Sequence, residues 1–169
     1  MTGVQTYALP ICDSGYALPD MAAVRDAFER YNGQQPPDVW LMLGDNAYVS
    51  GTDTEYQQAV FNMFPKTLRR TSLWPALGNH DTANNECPGL NHLPFLEVFT
   101  LPKNGEAGGA ASGSEFYYSF DHGRVHFVCL DSMVSSRSRG QAMLTWLEQD
   151  LAETVSRVKQ NLLHNFWPV

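Results

Sequence analysis

Cationic side chains are scarce in this chain of 169 residues: 11 Lys and Arg stand against 18 Asp and Glu, a formal net charge of -7. Affinity for a phosphate backbone comes from clustered Lys and Arg, so this balance excludes a non-specific nucleic-acid partner. The longest basic cluster, Lys66 to Arg70, reads as a solvated helix end complementing the helix dipole. Cysteine is equally sparse. Cys12, Cys87 and Cys129 are an odd number in no Cys-x-x-Cys spacing, which excludes a disulfide framework and a zinc knuckle. Cys129, inside an apolar run, reads as a small buried hydrophobe. No stretch approaches the ~20 apolar residues of a membrane-spanning helix, and no membrane partner is indicated. Gly-x-Ser-x-Gly, Walker and Gly-x-Gly-x-x-Gly motifs are all missing.

What is present suits a globular piece. With 43% hydrophobic and 12% aromatic residues the chain can bury one sizeable core, and its length favours a single domain. Asp20, after Pro19, can cap a helix whose Met21, Val24, Phe28 and Tyr31 fall close to one face and which ends near Asn32-Gly33. Pro36-Pro37 leads into a strand over Val39 to Leu43. Thr54 with Gln57 matches a capping box for a helix through Phe64, and Leu73 to Leu77 reads as the next strand. Residues 82 to 115 form a long irregular stretch with a short helix at Pro94 to Phe99. Phe116 to Phe120 and Val125 to Leu130 read as a hairpin around Asp121-His122-Gly123-Arg124, followed by a helix marked by Leu144, Leu147 and Leu151. Strand-helix alternation ending in a hairpin predicts an α/β fold.

Two segments carry the chemistry. Leu41-Met42-Leu43-Gly44-Asp45-Asn46-Ala47-Tyr48 and Trp74-Pro75-Ala76-Leu77-Gly78-Asn79-His80-Asp81 are each an apolar run that stops at Gly and then delivers potential metal ligands. Functional groups in open α/β sheets collect just past the carboxyl ends of the strands. Asp45, Tyr48, Asn79 and His80 would therefore meet at one spot. Carboxylate, phenolate, amide oxygen and imidazole suit metals of the Fe, Zn and Mn type, and the absence of thiolate argues against a structural zinc site.

The Gly-Asp-x-x-Tyr and Gly-Asn-His-Asp elements resemble the calcineurin-like metallophosphoesterases, and Tyr48 three residues after Asp45 is similar to the purple acid phosphatase branch. Asp13-Ser14-Gly15 stands where that family's first motif belongs. The resemblance implies a metallophosphoesterase-type β-sandwich flanked by helices, of which this chain holds the N-terminal portion. It implies metal ligation by Asp13, Asp45, Tyr48 and Asn79, with Asp45 bridging two metal ions, Asp13 and Tyr48 on the first, and Asn79 on the second. A Tyr ligand stays bound only as phenolate, which biases the first metal towards Fe(III), paired with Fe, Zn or Mn. His80, next to a ligand, is placed to hydrogen-bond a phosphate oxygen or to protonate the leaving alkoxide. The implied activity is hydrolysis of small-molecule phosphate monoesters by a metal-activated hydroxide. Phosphodiesters or nucleotides are the alternative substrates.

A late-strand His and a Gly-His-x-His pair complete the metal site in that family, and neither pattern is here. The histidines after His80 are His92, His122, His126 and His164, so an inactive fragment is a further alternative. His122 and His126 read as structural or solvent-facing. Asp81 and Asp131 either orient site groups or cap turns. Residues 1–11 read as a foreign, adapter-like segment, 12–153 as a partial metallophosphoesterase domain, and 154–169 as a non-matching tail. The resemblance also favours an extracytoplasmic location. Nothing in the sequence sets an oligomeric state.

Overall fold

The computed structural model describes residues 7–33, 35–83 and 89–166, with side chains to 157; Cys87 lies outside the described residues. The chain divides into two compact units, 1–100 and 101–169.

In the first unit, Val39–Met42 is apolar throughout, as a strand covered on both faces should be. It forms β2, the middle of three parallel strands, between β1 (Ala8–Ile11) and β3 (Ser72–Pro75). Leu9 pairs with Trp40 and Trp40 with Leu73. Pro10 and Pro75 fall on the two edge strands, which tolerate a residue without an N–H. β1 occupies the place of the strand that feeds Asp13, although it lies within the segment read as adapter-like.

Helix α1 (Pro19–Asn32) opens at Leu18 with no side-chain cap, so Asp20 is not the capping residue; it sits in the first turn, where its charge complements the dipole. Pro19 takes the first helical position, where a missing N–H costs nothing. The face expected from the sequence is partly corrected. Val24 and Tyr31 are 64% and 90% exposed, because at 100° per residue they sit about 60–80° from Met21. Arg25 occupies the inward side instead, and its Nη1 donates to the Met63 carbonyl at 2.7 Å.

The capping box falls on Thr52 and Glu55, two residues earlier than Thr54 and Gln57. Both pairs fit the pattern, but only a carboxylate offers two acceptor oxygens, and Glu55 uses Oε1 for the Val49 N–H and Oε2 for the Ser50 N–H. Helix α2 (Asp53–Tyr56) runs into a π turn, Gln57–Phe61, where the Asn62 N–H reaches back to Gln57 O at 2.8 Å. Short helices α3 (Pro65–Leu68) and α4 (Pro94–Val98) follow. The core gathers Trp40, Tyr56, Val60, Phe64, Phe95 and Phe99, all buried. Trp40 meets Phe64 edge-on at 4.7 Å, and Tyr56 meets Phe99 at 5.7 Å.

The second unit holds an antiparallel hairpin, β4 (Tyr118–His122) and β5 (Val125–Cys129), and the long helix α5 (Ala142–Phe166). Gly123, with φ 62°, makes the two-residue turn possible. Met143, Trp146 and the half-buried Leu147 pack with Ala110 and Tyr117. The expected Leu144, Leu147 and Leu151 stripe is therefore displaced, and Leu151 is exposed. Asp150 turns inward in its place. Its Oδ1 accepts from the Ala110 N–H at 2.7 Å and from the Ser119 hydroxyl at 2.8 Å.

Candidate metal centre

Backbone contacts at the carboxyl ends of β1, β2 and β3 bring the three motif loops of the first unit together. The Leu43 N–H donates to Ile11 O at 2.7 Å, the Tyr48 N–H to Gly15 O at 3.0 Å, and the Ala76 N–H to Met42 O at 2.6 Å. Asp13 and Asp45 both adopt left-handed backbone with φ 53°, a conformation that non-glycine residues occupy at a cost and that clusters at functional sites. Two glycines permit the approach. A Cβ on Gly15 would lie 2.6 Å from Tyr48 Cδ2, and one on Gly78 would lie 2.0 Å from Asp45 N and 2.3 Å from its Oδ1. No other residue fits at either place.

The result is a convergence of oxygens. The Tyr48 hydroxyl lies 2.8 Å from Asp13 Oδ1 and 2.8 Å from Asp45 Oδ2. A phenol carries one proton and can donate to one carboxylate at a time, so three acceptor oxygens share a single hydrogen. Burial first, then the two carboxylate contacts, push the phenol above its ordinary range. Each of these facts favours positive charge at the centre of the cluster, and a hard trivalent or divalent cation fits this donor set. Such a cation reverses the effect on Tyr48, because it stabilises phenolate.

His80 adjoins the cluster. Its backbone N–H donates to Asp45 Oδ1 at 3.0 Å. Its Nδ1 lies 2.7 Å from the Val49 carbonyl, which can only accept, so Nδ1 carries a proton and Nε2 is left to exchange one. The ring also packs on Tyr48, with centroids 4.1 Å apart. Asn79, on the same loop, is exposed and opens the 3₁₀ turn His80–Thr82.

Asp81 resolves one of the open readings: it is a fully buried carboxylate that organises both loops. It accepts from the Asn46 N–H at 3.0 Å, the Asn46 side-chain amide at 2.9 Å, the Gly78 N–H at 2.8 Å and the Tyr56 hydroxyl at 2.7 Å. Burial raises its carboxyl above the ordinary value, and these donors oppose the rise. Asn46 in turn donates to Ala76 O at 2.8 Å, linking the end of β2 to the segment after β3. Asp131 has the capping role, accepting from the N–H groups of Met133 and Ser135. His126 is structural, bridging Asp121 at 2.6 Å and Asp150 at 2.7 Å. The sequence pattern singles out neither Asp150 nor Tyr56. Their partners lie 24 or more residues away, and only the helical spacing of Tyr56 with Ala59 and Val60 hints at burial.

A stretch of 91 residues, 54% of this chain, is 33% identical to purple acid phosphatase 23 of Arabidopsis thaliana, of which it covers 19%. The chain thus spans about a fifth of the curated relative it matches. The model of the calcineurin-like phosphoesterase family matches residues 18–168, a span that takes in the ends of both β2 and β3. This chain therefore belongs to the calcineurin-like phosphoesterase family.

Proposed function

We propose that this protein hydrolyses phosphate monoesters with a pair of metal ions, in the manner of an acid phosphatase. The observation that supports this reading above all is the meeting of Asp13, Asp45 and Tyr48 oxygens at 2.8 Å, with one proton among them. In this reading Asp45, Asp13 and Tyr48 would hold one metal ion and Asn79, with a share of Asp45, the other; Tyr48 would favour Fe(III), with Fe, Zn or Mn as its companion. When bound, such a pair supplies charge neutralisation on the phosphoryl oxygens and a hydroxide at modest pH. The chain's own groups do the rest. Asp81 holds the β2 and β3 loops in register, Val49 fixes the His80 ring, and Nε2 of His80 carries a proton towards the leaving oxygen.

One observation favours a second reading, a fragment that binds metal without turning over: the chain contains no Gly-His-x-His. Titrating the chain with Fe(III) and Zn(II), then assaying 4-nitrophenyl phosphate and its bis ester, separates the possibilities. A visible charge-transfer band lost in Tyr48→Phe, with faster monoester than diester hydrolysis, supports the proposal. Colour without hydrolysis leaves the binding fragment, and metal binding without colour removes Tyr48 and Fe(III) from the site.

A further inference from the structure

Tyr16 follows directly on Asp13-Ser14-Gly15 and is 45% exposed, so neither burial nor a core role explains an ordered ring there. Its ring stacks on Tyr48 with centroids 4.4 Å apart and planes inclined by 10°. The His80 ring lies 4.1 Å from Tyr48 at 43°. Two rings cannot share one face of a third at such separations, so Tyr16 and His80 hold opposite faces of Tyr48. The backbone reinforces the contact, because Gly15 runs so close that a Cβ there would lie 2.6 Å from Tyr48 Cδ2.

Held between two carboxylates, the Tyr48 hydroxyl sits among oxygens that repel its lone pairs, and a ring with one open face would rotate away about its side-chain bonds. Tyr16 closes that face. It also belongs to the loop that carries Asp13, so a single stacked contact couples the position of the Asp13 carboxylate to that of the Tyr48 oxygen. We propose that Tyr16 is a positioning residue, a lid of one ring that clamps Tyr48 against His80 and fixes its oxygen between Asp13 and Asp45. The inference rests on the reading of Asp13, Asp45 and Tyr48 as one metal-binding cluster, but its central claim concerns a geometry that exists without metal.

The test uses the full chain with labelled tyrosine rings. Without metal, the wild type is expected to show nuclear Overhauser contacts from the Tyr48 ring to Tyr16 and to the β-protons of Asp13 and Asp45. Tyr16→Phe retains the contacts to both aspartates, and Tyr16→Ala loses them. Tyr16→Leu, which keeps apolar bulk without a flat ring, serves in the same comparison where the alanine variant loses its far-ultraviolet spectrum, and it too is expected to lose the contacts. In Fe(III) titrations, Tyr16→Phe binds as the wild type does, and Tyr16→Ala or Tyr16→Leu binds about 10–100-fold more weakly, the range for groups that orient a ligand from behind. Unchanged aspartate contacts and affinity within twofold in both non-aromatic variants overturn the proposal, as does a wild type with no Tyr16–Tyr48 contact. A wild type that shows the contacts but binds Fe(III) without colour defeats the ligand reading of Tyr48 and leaves the clamp standing.

Discussion

A side chain on Gly78 would place its Cβ 2.0 Å from the backbone nitrogen of Asp45, so the loops after β2 and β3 touch backbone to backbone at the residue read as the bridging ligand. Relief requires a shift on the order of 1 Å, which is enough to cost about 10²-fold in turnover when it misplaces a reacting geometry. Gly78→Ala is therefore expected to weaken metal binding more sharply than it lowers stability. Calorimetric titration with Zn(II) beside thermal melting checks this; wild-type affinity in a folded variant would show that Asp45 is not held from this side.

Asp81 is expected to act through the same loops. Asp81→Asn keeps the shape but presents an amide to donors from Asn46, Gly78 and Tyr56, leaving at least one buried group unsatisfied at about 1–3 kcal/mol. Thermal melts should fall by several degrees, with metal affinity falling in parallel. A melt within a degree of the wild type would assign the network little weight.

Much of this arrangement is legible in the order of the amino acids. Apolar runs ending in Gly44 and Gly78 mark buried parallel strands and their functional ends, because side-chain period and backbone freedom are local properties. What stays hidden is set by long-range pairing. Asp81 and Asp131 read alike as turn carboxylates, yet one gathers donors from three segments and the other caps its own turn. Asp150 lies on a helix whose leucine spacing suggests a different inward face, and only Ala110, Ser119 and His126 explain its burial. The capping box lies two residues from its expected place for the same reason, since the N–H groups that select Glu55 belong to the preceding loop.

The second unit should show a pH-dependent stability of its own. Burial works against a charged His126, but its hydrogen bonds to Asp121 and Asp150 outweigh this and raise its pKa. Burial likewise opposes ionised Asp150, and bonds from Ala110, His126 and Ser119 outweigh that and lower its pKa. Arg157, 2.8 Å from Asp121, is the further charge on the cluster. Stabilisation from His126 is present in full below the ordinary histidine pKa and is lost as pH rises through the raised folded value. Stabilisation from Asp150 is present above the ordinary carboxyl pKa and is lost as pH falls through the lowered folded value. Denaturant melts should therefore be most stable between the two. His126→Gln should flatten the alkaline decline; an unaltered slope in that variant would remove His126 as its cause.

The left-handed backbone at Asp13 sets stability against function. With φ 53°, Asp13 holds a conformation that costs an L-residue roughly 1–2 kcal/mol, and its carboxylate faces that of Asp45 across the Tyr48 oxygen. Asp13→Gly relieves both strain and repulsion, offset in part by the greater freedom glycine gives the unfolded chain, about 0.5–1 kcal/mol. The net expectation in metal-free buffer is a gain of about 1 kcal/mol. In the same variant the proposed metal site loses one of its three converging oxygens, so Fe(III), expected to raise the melting temperature of the wild type, should no longer do so. Melts of both proteins with and without Fe(III) give the four values needed. A variant less stable than the wild type without metal, or equally stabilised by Fe(III), would mean that Asp13 is kept for its local turn and not for the cation.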